Sequence, residues 1–142
     1  MRLWLAADVP NVRKATSLLH QVGDDLFGVK AHRLTDAAAK ERFGILRREG
    51  AQNLLKDFKG HDTPDTVAGR AEEFMTCGVN FVTVHATGGL KMMKDTVNTG
   101  VGVYAVVFLT SLSEKEFARY YQPNAVPNMI EDAMEAGVTG FI

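Results

Sequence analysis

The chain has 142 residues, of which 46% are hydrophobic and 23% charged, with a net charge of −1. That suffices for one domain with a core of its own, and the near-neutral charge offers no electrostatic footprint for nucleic acid or an anionic membrane. No apolar run approaches the ~20 residues of a membrane span, and the single cysteine, Cys77, excludes an intrachain disulfide framework and fits a cytoplasmic protein.

Strand-like and helix-like segments alternate along the whole chain. Residues 3–9 form a short apolar run closed by Pro10, too short for a signal peptide and suited to a first strand. Asn11 can cap a helix with Val12, Ala15, Leu19 and Val22 at helical spacing, stopped by Gly23. Residues 26–30 read as the second strand. Thr35 is a plausible cap for a helix carrying Ala39, Phe43 and Leu46, ended by Gly50. Residues 53–59 read as the third strand. Pro64 suits the first turn of a helix whose inner face is Val67, Ala71, Phe74 and Met75. Cys77, just before Gly78, is expected to be a small buried packing residue.

Residues 80–85 form the fourth strand, and Gly88-Gly89 opens a helix with Leu90, Met93 and Val97. Residues 101–110 form the fifth and most hydrophobic strand. Ser113 and Glu116 match a capping box at the start of the next helix. A loop with Pro123 and Pro127 interrupts that segment, a further helix spans about 129–136, and residues 138–142 resemble a sixth strand. Repeated strand–helix units imply a parallel sheet covered by helices. The turn after the first strand, Asp8-Val9-Pro10-Asn11, has no glycine for a dinucleotide pyrophosphate, and no P-loop is present. Polar residues recur at strand C-terminal ends instead: Asp8, Lys30, Asp57 with Lys59, His85 and Thr110. That pattern favours a parallel (β/α)8 barrel, whose sites assemble on that face.

The densest polar stretch is residues 56–67. Asp57 and Lys59 are two apart, so on a strand both point to one face. Asp62 follows beyond Gly60, and the three charges are expected to converge on one strand end. Unpaired buried charges are costly, so the stretch is either a solvated ion pair or a catalytic cluster.

The run Asp57-x-Lys59-x-x-Asp62-x-Pro64-x-Thr66 resembles the D-x-K-x-x-D-x-P-x-T signature of the orotidine 5′-phosphate decarboxylases. The segments around Asp8, Lys30, His85 and residues 109–113 fall in that family's order. The resemblance implies a barrel of the ribulose-phosphate-binding type, with about six of its strands in this chain. It also implies conversion of orotidine 5′-monophosphate to uridine 5′-monophosphate, with no metal or organic cofactor. By this likeness Lys59 resembles the proton donor to C6 of the pyrimidine. Asp57 resembles the carboxylate set against that of the substrate. Lys30 and Asp62 would complete an alternating chain of charges. Asp8 and Lys30 resemble the pair that grips one ribose hydroxyl. Asp62 and Thr66 resemble residues that reach the other hydroxyl from the partner subunit, which implies a homodimer with shared sites. Ser113 resembles a serine that touches the pyrimidine, the alternative being the helix cap alone. Thr63 stands where an isoleucine usually walls the ring. His85 and His61 are expected to be supporting residues, His85 as a hydrogen-bonded structural histidine.

Sugar-phosphate enzymes of the hexulose-phosphate synthase type share D-x-K-x-x-D, use magnesium and typically carry a glutamate at the position of Lys30. Lys30 repels a divalent cation and, with Pro64 and Thr66, points to the decarboxylase; the magnesium-dependent enzyme and a non-catalytic binding relative stand as the alternatives. Gly60, Thr63, His32 and Lys56 depart from the usual pattern, and the stem of Lys56 is expected to snorkel. A full barrel needs about 250 residues. The chain is therefore expected to be the N-terminal portion of a longer protein, without the phosphate-gripping arginine.

Overall fold

A computed structural model describes residues 3–23 and 25–142. Six strands form one sheet: β1 (Trp4–Ala6), β2 (Gly28–Ala31), β3 (Leu54–Gly60), β4 (Phe81–His85), β5 (Gly102–Val106) and β6 (Gly140–Phe141). They lie side by side in chain order and every pairing is parallel. Helices α1 (Val12–Val22), α2 (Ala39–Arg48), α3 (Pro64–Thr76), α4 (Gly89–Asn98), α5 (Glu114–Tyr120) and α6 (Ala125–Ala136) fill the connections, with short 3₁₀ turns at Arg33–Thr35 and Ala86–Gly88.

The alternation of side chains along each strand divides the sheet into two faces. Val29, Ala31, Leu54, Val82, Val84, Val103 and Ala105 point to the helix side and are fully buried. They meet Ala15, Phe43, Leu46, Val67, Ala71 and Met93 from the helices, forming one continuous core. Burial of each large side chain contributes about 1.5–3 kcal/mol relative to exposure.

The other face is concave. Trp4 on β1 and Tyr104 on β5 are four strand spacings apart, about 19 Å on a flat sheet. Their rings nevertheless meet edge to face at 6.2 Å, and Trp4 also meets Phe81 at 5.5 Å. Only a sheet curled toward this face brings them together, giving the open wall of a (β/α) barrel. Two glycines make the curl possible. Gly28 pairs with Trp4 and Gly102 with Phe81. A Cβ on Gly28 would sit 2.5 Å from the Trp4 ring, and one on Gly102 would sit 2.2 Å from the Phe81 ring.

Several sequence expectations change in detail. Thr35 does not cap α2; it lies in the 3₁₀ turn, where its hydroxyl bonds the His32 carbonyl and receives Lys56. Met75 lies off the buried face of α3 and is 38% exposed. In α4 the buried positions are Met92, Met93 and Thr96, with Leu90 and Val97 only partly covered. Pro127 does not break a helix. It sits in the first turn of α6, where a missing N–H is tolerated. β1 and β5 end at Ala6 and Val106, well short of Val9 and Thr110. Cys77 is partly rather than fully buried.

Candidate active site

The C-terminal ends of β1, β2 and β3 bring four charged side chains into line. The Lys30 ammonium lies 3.5 Å from an Asp8 carboxylate oxygen and 3.1 Å from Oδ2 of Asp57. Lys59 approaches Oδ1 of Asp57 at 2.7 Å. The order Asp8–Lys30–Asp57–Lys59 therefore alternates in sign along one rim of the curled sheet.

Asp57 is the centre of this row, and its side chain is 9% exposed. Besides the two ammonium groups, the Thr83 hydroxyl donates to its Oδ1 at 2.9 Å. Burial alone would raise the carboxyl pKa, but hydrogen bonds from Lys59, Lys30 and Thr83 outweigh it and hold the value at about 2. Asp57 is thus a fixed negative charge at any physiological pH.

The backbone that presents Lys59 is irregular. Lys56 pairs with Val82 and Gly60 with Val84, so Asp57, Phe58 and Lys59 together oppose Thr83 alone. This bulge re-aims the strand end. Lys59 takes φ of 51°, in the left-handed region where a non-glycine residue is strained by about 1–2 kcal/mol. Its amide N–H is held at 2.8 Å by the Thr83 hydroxyl. One hydroxyl thereby accepts from the bulged backbone and donates to the central carboxylate. The strand runs on through Gly60, where a Cβ would sit 2.6 Å from the Phe58 ring and 2.9 Å from Val67. The small residue at this position makes room for Phe58, which packs edge-on to Phe74 at 5.2 Å.

Asp62 does not join the row. It is exposed, and its Oδ1 accepts from the N–H of Thr63 at 2.6 Å. Chain reversal after Gly60 turns it toward the start of α3, so the expected convergence of three charges is replaced by Asp57 and Lys59 with Asp8 and Lys30. Thr63 and Thr66 share a hydroxyl–hydroxyl bond of 2.8 Å in the first turn of α3. Ser113 completes a capping box: its hydroxyl donates to Glu116 at 2.6 Å and accepts from the Glu116 N–H at 3.3 Å. The His85 ring makes no hydrogen bond among the described residues and lies 5.6 Å from the His61 ring. Burial, then the neighbouring His61 and Lys59, lower its pKa, so the ring is neutral at pH 7.

Two contributors escaped the sequence reading, and the surroundings of a third differ from those expected. Thr83 was legible only as the polar member of an alternating strand, Phe-Val-Thr-Val-His. Arg33 lines a cavity of about 510 Å³ together with Asp8, His32, Asp57 and Lys59. Lys56 does not snorkel. It is 4% exposed on the helix side of β3, and donates to the His32 carbonyl, the Thr35 hydroxyl and the Asp36 carboxylate. The expectation failed because Asp36 and the 3₁₀ turn supply partners that strand alternation cannot reveal.

A rim of alternating charge beside a 510 Å³ cavity can bind an anionic substrate and move a proton from an ammonium group. Known proteins carry the same arrangement of strands. A curated orotidine 5′-phosphate decarboxylase from Oenococcus oeni is 30% identical over 99% of this chain and 65% of its own length. One from a Nostoc species is 28% identical over 99% of this chain and 66% of its own. The chain thus spans just under two thirds of these relatives. Among solved structures, orotidine 5′-phosphate decarboxylase from Lactobacillus acidophilus superposes with a TM-score of 0.81, at 28% identity, over 99% of this chain and 70% of that one. An uncharacterized conserved protein from Geobacillus kaustophilus shares the fold with a TM-score of 0.84 at 24% identity, over 98% of this chain and 72% of that one. The model of the orotidine 5′-phosphate decarboxylase / HUMPS family matches residues 1–142, and the chain belongs to that family.

Proposed function

We propose that this charge row decarboxylates orotidine 5′-monophosphate to uridine 5′-monophosphate. The observation that carries the reading is Asp57, a carboxylate held ionised between two ammonium groups and a hydroxyl. A substrate carboxylate placed against Asp57 meets a negative charge that cannot be relieved by protonation near pH 7, because the carboxyl pKa lies at about 2. Loss of carbon dioxide removes that opposition. The bond from C6 to the carboxyl carbon breaks, and its electron pair remains on C6. Lys59 then gives a proton from Nζ to C6 and is reprotonated from solvent. Lys30 and Thr83 keep Asp57 from swinging away, so the stabilisation is preorganised rather than assembled during the step.

Asp8 and Lys30 are suited to a ribose hydroxyl, since they form one end of the row. The exposure of Asp62 and Thr66 supports their service in a partner's site within a homodimer. Thr63 would border the pyrimidine. Ser113 would touch the ring by exchanging its bond to Glu116. No helix among the described residues is long and apolar enough to cross a membrane, which agrees with a cytoplasmic setting. Against the magnesium-dependent alternative, the Lys30 ammonium occupies the space beside Asp57 and Asp8 where a divalent cation would need both carboxylates.

The test is decarboxylation of orotidine 5′-monophosphate by the protein and by Lys59→Ala. Loss of the proton donor should lower kcat by about 10³-fold or more. Near-normal turnover in the variant would remove Lys59 from the reaction.

A further inference from the structure

His32 and Lys56, two positions that stood out in the sequence, meet in space. The Lys56 ammonium has three N–H donors, and all three are taken by the connection between β2 and α2. It donates to the His32 carbonyl at 2.9 Å, to the Thr35 hydroxyl at 3.3 Å and to the Asp36 carboxylate. The Phe74 ring lies beside the ammonium, its centroid 5.8 Å away. A cation this deeply buried is stable only when fully partnered, so the connection and β3 hold one another.

The same connection also reaches into the charge row. His32 Nδ1 lies 2.6 Å from the main-chain carbonyl oxygen of Asp57. A carbonyl only accepts, so Nδ1 carries the proton. The ring lines the cavity shared by Asp8, Asp57 and Lys59.

We propose that Lys56 and His32 form a single positioning device for the charge row. Lys56 clamps the 32–36 connection against β3. The clamped connection seats His32, in its Nδ1–H form, on the Asp57 carbonyl. That bond fixes the Asp57–Phe58 peptide, within the bulge that presents both the Asp57 carboxylate and Lys59. An apolar residue at position 56 would leave the connection without its anchor and free the His32 ring to exchange tautomers.

The test labels the histidines with ¹⁵N and assigns the His32 signal by its loss in His32→Gln. Near pH 8 the wild-type ring should show the Nδ1–H tautomer alone. Lys56→Met keeps the stem and removes the donors, and Asp36→Ala removes an exposed acceptor without touching the core. Both should shift His32 toward a mixture of tautomers, the lysine variant further. An unchanged tautomer in the folded variants would overturn the proposal. If Lys56→Met does not fold, an unchanged tautomer in Asp36→Ala overturns it alone.

The catalytic consequence rests on the decarboxylase reading, whereas the tautomer does not, so the two fail separately. In turnover, Lys56→Met and His32→Gln should each lower kcat on the order of tenfold with KM nearly unchanged. The double variant should be no worse than the poorer single. Independent, multiplying losses would show that the two residues do not act as one device.

Discussion

Acid should unpick the site before it unfolds the core, and Asp57 sets where. Its carboxyl pKa falls from 3.8 to about 2 in the folded chain. At 1.36 kcal/mol per pKa unit, that drop is worth about 2 kcal/mol of folding stability. The side chain is only 9% exposed, so solvent screening leaves most of this in place. Because the folded value is the lower one, the contribution is complete above pH ~4, where the unfolded carboxyl is ionised. It disappears as pH falls toward 2 and the folded carboxyl takes up its proton. Asp57→Asn removes the titration while preserving shape. Urea unfolding of both forms from pH 6 to pH 2 measures the effect. The stability gap between wild type and variant should narrow by about 2 kcal/mol across the acid range. A constant gap would mean that the ammonium groups do not hold Asp57 ionised in the folded state.

Thr83→Val removes one donor to Asp57 and the acceptor for the Lys59 N–H. It should destabilise the chain by about 1–3 kcal/mol in denaturant unfolding and raise the Asp57 pKa, read from carboxyl ¹³C titration. Gly60→Ala forces a methyl against Phe58 and Val67 and should cost about 1–3 kcal/mol. Adding Phe58→Leu should recover part of that loss, since it withdraws the ring edge 2.6 Å from the new Cβ. His85 should stay neutral in NMR titration down to a pH below the ordinary histidine value, because burial and the adjacent His61 and Lys59 oppose its charging.

The order of elements was legible because each βα unit writes its own punctuation. Asn11 caps α1 through the Lys14 N–H, Pro64 starts α3, Ser113 and Glu116 close a capping box, and Gly137 stops α6. Asp8, Lys30, Asp57 and Lys59 were found because polar residues at strand ends break the apolar pattern. What escaped depends on contacts between distant segments. Asp62 follows Lys59 closely in the sequence, but past the bulge it is exposed and takes the Thr63 N–H instead. Thr83 acts on Asp57 from β4 and His32 from the connection after β2, so no local spacing reveals them. Lys56 breaks the apolar pattern on the helix side of β3, and the partners that explain it are 20 to 24 residues earlier in the chain.

The ring contacts on the concave face have a use outside function. The chain contains one tryptophan, and Trp4 touches Phe27, Phe81 and Tyr104 from three other segments. Helices and neighbouring strand pairs form from local contacts, which close quickly, whereas bringing β1 to β5 must order about a hundred residues of chain. Trp4 emission therefore follows the curling of the sheet, while far-ultraviolet circular dichroism follows the helices. In a refolding experiment the fluorescence change should lag the dichroism, giving the chain a built-in clock for the slowest step of its own assembly.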